Sequence, residues 1–438
     1  MKLTFLTPGT GSYYCGACMR DNALAIELHK AGEEVTILPM YLPLMLDEEP
    51  LPGLDNTEVF FGGINMYLQH KLSFFRKTPA FIDKMLNSTG LLRWAARHSH
   101  MTSATDHGQM CLEMLEIEGS GFRKEFEKLL VWLEEVGKPD VVCLSTALQA
   151  GLADEIKARL GIPIILFFQG EASFLDSLPE SYRSRCWSRM RHRLKSADLL
   201  VSPSQFYSAY MEERLGFSNG SIVVMPNGIK MDGYAAAANP PKYPTIGFLA
   251  RMCREKGLEV LVDGFIHLRT RLGDKSARLR IAGAMTAGDI HLVKALKKRL
   301  ADAGLQDVVE WLPNLSRDEK IDFLQSLSLF SVPATYPEAF GLYLVEAIAC
   351  GVPVVQPATA SFTEIVETTG GGVCVPDIDS TSLAESWHSL LGEPEKMKVM
   401  SETGRRQVDA HYSAQHMSRK FLELTRTLPG TTKDITHS

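Results

Sequence analysis

What the chain lacks narrows its class first. No apolar run approaches the ~20 residues that a membrane-spanning helix needs. The opening Met1-Lys-Leu-Thr-Phe-Leu-Thr7 is too short for an export signal and reads as a buried first strand. The cytoplasm is therefore the expected location. Cysteine is sparse: eight residues, at 15, 18, 111, 143, 186, 253, 350 and 374, are too scattered for a disulfide scaffold. The one close pair, Cys15-Gly-Ala-Cys18, has no second pair to complete a zinc site. It stands where a redox pair would, opening a helix after a strand, but reads rather as small residues lining a tight loop. No glycine-rich loop ends in Gly-Lys-Ser/Thr, which removes the P-loop ATPases. Positive charge is not in excess either, and the net charge of −6 argues against general nucleic-acid binding.

What is present is ordinary in bulk, with 45% hydrophobic and 22% charged residues in a chain of 438. That length is too great for one core and suits two domains of about 200 residues. The first 40 residues read as a strand, loop, helix and strand: Leu3–Thr7, Pro8–Ala17, a helix from about Met19 to Ala31, and Val35–Pro39. Such a unit puts backbone amides at the carboxyl end of a parallel sheet, where phosphates bind. Gly9-Thr-Gly11 lacks the third glycine of the dinucleotide fingerprint. Residues 45 to 135 read as a helical insertion with a hairpin-like start at Val59–Ile64. Near-continuous apolar runs at Asp140–Ser145, Ile162–Phe168 and Asp198–Ser202 then mark strands buried on both faces. After a last strand, Ile222–Met225, a proline- and alanine-rich stretch at 235–244 reads as a linker. The alternation restarts at Thr245–Ala250 and continues through Leu279–Ala282, Val308–Leu312, Leu329–Val332 and Val352–Gln356. A long amphipathic helical stretch, about Met397 to Leu428, closes the chain. The expected domains are 1–235 and 242–405, with 406–428 as a further helix and 429–438 as a tail.

Two constellations carry chemistry. Glu338 and Glu346 flank Pro337-Glu-Ala-Phe-Gly-Leu-Tyr-Leu-Val-Glu-Ala347, where a small-residue turn runs into an apolar helical stretch. The helix is expected to start near Gly341, where unpaired N–H groups and the helix dipole favour an anion. Arg251 and Lys256 follow the strand Thr245–Ala250, beside Gly257. Two cations at the carboxyl end of a parallel strand fit a diphosphate.

Arg251-x4-Lys256-Gly257 and Glu338-x7-Glu346 together resemble retaining glycosyltransferases of family 4, which have the GT-B fold. Pro226-Asn-Gly-Ile229, Gly247-Phe-Leu-Ala-Arg251, Glu346-Ala-Ile-Ala-Cys-Gly-Val-Pro-Val354 and Pro376-Asp377 add to the likeness. It runs from about 222 to 412, recurs in 1–40 and 138–202, and is absent from about 45 to 135. The resemblance implies two Rossmann-like, doubly wound α/β domains facing across a cleft, with the final helix crossing back to an N-terminal acceptor-binding domain. It implies a nucleotide-diphosphate sugar as donor, here a substrate, with no cofactor or metal. Arg251 and Lys256 would grip the diphosphate, Glu346 the ribose hydroxyls, and Glu338 would sit beside the donor sugar. Backbone at Phe340, Gly341, Leu342 and Gly16 would approach sugar and phosphate.

The match breaks where members usually carry a histidine that touches the donor sugar. This chain has Gln169, in Phe167-Phe-Gln169-Gly-Glu171, so Gln169 or Glu171 is expected to take part of that role. Two basic stretches, Lys71 to Arg97 and Arg183 to Lys195, read either as solvated helix faces or as a peripheral membrane contact. The expected activity is transfer of a hexosyl unit to an acceptor hydroxyl on a saccharide, lipid or small metabolite. A catalytically weak sugar- or nucleotide-binding protein of the same fold is the first rival. A nicotinamide-dependent oxidoreductase is the second, and it lacks the acidic residue expected at the end of the second strand.

Overall fold

The computed structural model describes residues 1–9, 15–54, 59–62, 66, 68, 92 and 104–429. The chain divides into two compact units. Unit 1 holds Met1–Pro203, Ser208–Met225 and the described part of the segment from Met417 onward. Unit 2 holds Ser204–Tyr207 and Pro226–His416. The stretch 235–244 thus lies inside unit 2. The basic stretch Lys71 to Arg97 falls almost wholly outside the described residues, as do residues 63–65 and the tail beyond 429.

Unit 1 is built on six parallel strands: β1 (Lys2–Pro8), β2 (Glu34–Met40), β3 (Val141–Leu144), β4 (Ile164–Phe167), β5 (Leu199–Ser202) and β6 (Val223–Val224). Their order is β2-β1-β3-β4-β5-β6. Every residue of β3 and β4 is buried, as their unbroken apolar runs require of strands covered on both faces. The hairpin expected at Val59–Ile64 is not what the described part forms. Phe60 instead makes a parallel bridge to Met40 of β2, its N–H donating to the Pro39 carbonyl at 2.9 Å. Val59-Phe60 thus extends the sheet by one short rung.

The first helix spans Gly16–Lys30, three residues earlier than the apolar stripe predicted. Cys15 is its N-cap, in an extended conformation, and small residues fill the first turn. Periodicity cannot detect a turn that carries no large apolar side chain. At the other end of the chain, Phe421 packs into the same core. Its ring centroid lies 5.9 Å from Phe5 and 6.3 Å from Phe167.

Unit 2 repeats the plan with β7 (Thr245–Leu249), β8 (Arg278–Gly283), β9 (Val309–Pro313), β10 (Leu329–Phe330), β11 (Val354–Pro357) and β12 (Gly372–Val375). The order β12-β11-β10-β7-β8-β9 is all parallel and doubly wound, so the winding reverses between β7 and β10. Helices Phe362–Thr369 and Ser380–Leu391 are among those packed in the unit. The stretch expected as one helix from about Met397 is two, Pro394–Tyr412 and Ala414–Thr425. Ser413 between them is extended and bridges Ile229: the Ile229 N–H donates to the Tyr412 carbonyl at 2.9 Å and the Ala414 N–H to the Ile229 carbonyl at 2.8 Å. Strand-like pairing has taken the backbone groups that would have continued the helix.

Candidate functional site

In an open α/β sheet, ligands bind beyond the carboxyl ends of the strands where the winding reverses. In unit 2 that place lies past β7 and β10, and the sequence sets Arg251 and Lys256 after one strand and Glu338 after the other. Gly257 brings them together. It has φ 75°, and a Cβ on it would lie 1.8 Å from the Pro333 carbonyl oxygen. The two loops can therefore touch only if this residue is glycine. The Thr335 N–H donates to the Glu255 carbonyl at 2.9 Å beside it.

Lys256 consequently meets Glu338. Its ammonium pairs with Glu338 Oε2, bonds the Tyr336 hydroxyl, and stands 4.9 Å from the ring centroids of both Tyr336 and Tyr343. The same Oε2 accepts the Tyr336 hydroxyl at 2.6 Å and the Tyr343 hydroxyl at 2.8 Å. Burial pushes the Glu338 carboxyl up, but the Lys256 charge and these bonds outweigh it and hold the group below the usual carboxylate range.

Arg251 is set apart from this pair. Its guanidinium donates to both carboxylate oxygens of Asp289, at 3.2 and 3.1 Å, and to the Thr286 hydroxyl at 3.3 Å. Burial opposes ionisation of Asp289, yet its bonds from Thr286 and Arg251 keep its carboxyl low. The Arg251 side chain is still 54% exposed.

Glu346 occupies a third position. Its Oε1 accepts the Tyr234 hydroxyl at 2.7 Å and the Lys320 ammonium at 2.6 Å, while Oε2 takes no partner among the described residues. Between the two glutamates, Gly341 (φ 91°) caps the helix Leu342–Ala349. The first-turn N–H groups of Leu342 and Tyr343 have no intrahelical acceptor. Ser361, fully buried, fixes the preceding loop: its hydroxyl lies 2.6 Å from the Phe340 carbonyl and 3.1 Å from that of Glu338. Phe340 itself packs its ring on Tyr412, at 5.7 Å between centroids.

Unit 1 places Gly16 at the first position of its helix after β1, and Gln169 two residues past β4. The Gln169 side-chain amide makes no hydrogen bond among the described residues. Glu171, the alternative for that role, is spent on structure. One of its oxygens accepts Thr146 Oγ1 at 2.7 Å and the Ala147 N–H at 2.9 Å. The other accepts the N–H groups of Gln169 and Gly170 at 2.9 and 3.1 Å. On helix Glu180–Arg193, Arg183 pairs with Glu180, Arg189 with Glu116, and Arg193 with Glu118 and Asp154. This pairing supports the solvated-face reading. An Asp-x-Asp spacing, the common metal-diphosphate motif, occurs at Asp377-Ile-Asp379, but Asp379 caps the helix Ser380–Leu391 through the Thr381 and Ser382 N–H groups.

Residues 235–407 match the family described as glycosyl transferases group 1, and residues 119–232 match glycosyltransferase family 4. The chain belongs to these glycosyltransferases. It is 26% identical over 263 residues to the D-inositol 3-phosphate glycosyltransferase of Nocardiopsis dassonvillei, covering 56% of this chain and 61% of that protein. With 58% of the Corynebacterium urealyticum counterpart covered, the chain spans about three fifths of the curated relatives it matches. Among solved structures it is similar to sucrose-phosphate synthase from Thermosynechococcus elongatus, with a TM-score of 0.72, 16% identity, and 99% of this chain and 100% of that one covered. Anabaena HepE in complex with UDP and glucose gives 0.68 and 16%, with 98% and 100% covered. The fold is GT-B.

In this glycosyltransferase the predicted residues fall into separate groups. Lys256 and Glu338 come together, Arg251 turns to Asp289, and Glu346 to Tyr234 and Lys320. Sequence reasoning missed Asp289, Ser361, Lys320 and the three tyrosines 234, 336 and 343. Only Tyr343 carried a signal, because it lies inside the Pro337–Ala347 stretch, in the first turn of the helix that follows Gly341.

Proposed function

We propose that the chain transfers a glycosyl group from a nucleotide-diphosphate sugar to an acceptor hydroxyl, with retention of anomeric configuration and without a metal ion. The observation that carries this reading is the Lys256–Glu338 junction at the winding reversal of unit 2, beside the helix start at Gly341. Arg251 and Lys256 would neutralise the diphosphate leaving group, and the amides around Phe340, Gly341 and Leu342 would hold it from the other side. Glu346, through its uncommitted Oε2, would accept the ribose hydroxyls, and Glu338 a hydroxyl of the donor sugar. The acceptor hydroxyl would attack the face the leaving group departs from, with a phosphate oxygen taking its proton. Catalysis is then positioning and charge stabilisation, with no protein nucleophile.

Unit 1 is the proposed acceptor-binding half. Gly16 allows close backbone approach at its sheet's carboxyl edge, and the uncommitted amide of Gln169 suits a sugar hydroxyl. The proposed setting is the cytoplasm.

The test is nucleotide release from a panel of UDP-, GDP- and ADP-sugars, with and without EDTA. UDP-sugars come first because the HepE neighbour is described with UDP. An inositol phosphate and a hexose phosphate are the first acceptors, after the names of the relatives. Release that survives EDTA, with an α-linked product from an α-linked donor, is the expected result. Thermal stabilisation by a nucleotide with no release under any acceptor would favour the binding-protein reading.

A further inference from the structure

Three side chains converge on Glu338, and the donor reading uses only Lys256. Tyr336 and Tyr343 have no part in it so far. Both donate to Oε2, the oxygen that Lys256 also pairs with, and Oε1 takes no partner among the described residues. Neither phenol is a casual neighbour. The Tyr343 ring lies 6.3 Å from Phe330 of β10 and 6.5 Å from Phe362, so strand and helix both fix it. Tyr336 is held against Lys256, whose place Gly257 sets. Burial, followed by the Glu338 charge, drives both phenols up, so they remain neutral donors across the whole working range.

The third partner is contested. An ammonium has three protons to give, and a diphosphate arriving at Lys256 competes with Glu338 for them. A half-buried carboxylate that loses its cation would protonate or turn away. Two fixed O–H donors on the same oxygen oppose both.

We propose that Tyr343, together with Tyr336, is a positioning residue of the donor site: the two hydroxyls anchor Glu338 by Oε2 and keep Oε1 as the acceptor for a donor-sugar hydroxyl while Lys256 serves the diphosphate. This rests on the donor reading of unit 2. It adds a division of labour within one carboxylate, one oxygen for the protein and one for the ligand. Because an anchored carboxylate accepts but never donates, the sugar group it meets must be a hydrogen-bond donor, as a hydroxyl is.

Tyr343→Phe tests the idea, since it keeps the ring between Phe330 and Phe362 and removes one hydrogen bond. The readouts are the pH profile of nucleotide release and the Kd of the free nucleoside diphosphate by calorimetry. The acid limb of kcat/KM is expected to rise by about one pH unit and kcat to fall about tenfold, as losing one bond to a charged group implies. Nucleotide affinity should stay within about twofold, because Arg251 and Lys256 are untouched. Glu338→Gln should show the kcat loss with no acid limb at all. A Tyr343→Phe profile that superimposes on the wild type, or a loss confined to nucleotide affinity, overturns the proposal. If the wild type turns over no donor, the donor reading fails separately. The anchoring is then read directly by carbon NMR titration of the Glu338 carboxyl, which should titrate higher in Tyr343→Phe. Equal titration in the two proteins would refute it.

Discussion

Gly257 and Pro333 are in backbone contact, so close that a Cβ on the glycine would lie 1.8 Å from the proline carbonyl oxygen. That contact joins the loop after β7 to the loop after β10. Gly257→Ala must therefore open the junction as well as strain a residue with φ 75°. The expected cost is about 3 kcal/mol, with nucleotide affinity at least about tenfold weaker. Chemical unfolding and calorimetry on the same sample would check both. A variant as stable and as avid as the wild type would mean that the loops need not touch.

Lys256 and Glu338 should behave as a coupled pair, since their side chains are only 18% and 13% exposed. Lys256→Met strands a carboxylate and should cost about 3 kcal/mol at neutral pH. Lys256→Met with Glu338→Gln should regain most of it, although neither protein would turn over donor. The pH dependence has a definite sign. In the wild type Glu338 is held below its ordinary value, so its contribution is present above the unfolded carboxyl range and is lost as pH falls through the folded value. In Lys256→Met burial pushes the carboxyl up, and stability should instead improve on mild acidification. Additive costs in the double variant would rule out the coupling.

Ser361→Ala removes a buried hydroxyl that holds the Phe340 and Glu338 carbonyls. Stability should fall by about 1–2 kcal/mol. More telling is the kinetic split: the donor KM should rise several-fold while the KM for acceptor holds. Equal changes in both would point to a general loss of structure.

Cys15 offers a prediction independent of function. Its neighbour Cys18, helped by the Cys18 and Ala17 N–H groups, draws the Cys15 sulfur down to about 6, while Cys18, whose own thiol donates to the Pro8 carbonyl at 2.7 Å, is pushed up. Iodoacetamide should label Cys15 with a rate that rises through pH 6, and Cys18 slowly or not at all. The lowered value also stabilises the fold above the ordinary thiol range, an increment that disappears as pH drops through about 6. Labelling that rises only near the ordinary thiol value would contradict this arrangement.

Much of the fold was legible because parallel strands buried on both faces leave unbroken apolar runs, as at Val141–Leu144 and Ile164–Phe167. The helix start at Gly341 was legible from the turn residues before it. The first turn at Gly16 and the break at Ser413 were not. One lacks large apolar residues, and the other depends on Ile229, a partner far away in sequence. The site followed the same division. Motif spacing named Lys256 and Glu338 but could not show that Arg251 leans on Asp289 or that Glu346 shares Lys320, because those partners come from other loops.

Phe421 stacking with Phe5 and Phe167 has a consequence for how the chain is made. The core of unit 1 draws on segments from either side of unit 2 in the sequence, whereas unit 2 is almost wholly contiguous from Pro226 to His416. Contacts between distant residues form late, because a long loop must close before they can. On the ribosome, then, unit 1 must wait with a gap in its interior until the helix bearing Phe421 is released, while unit 2 can already have finished.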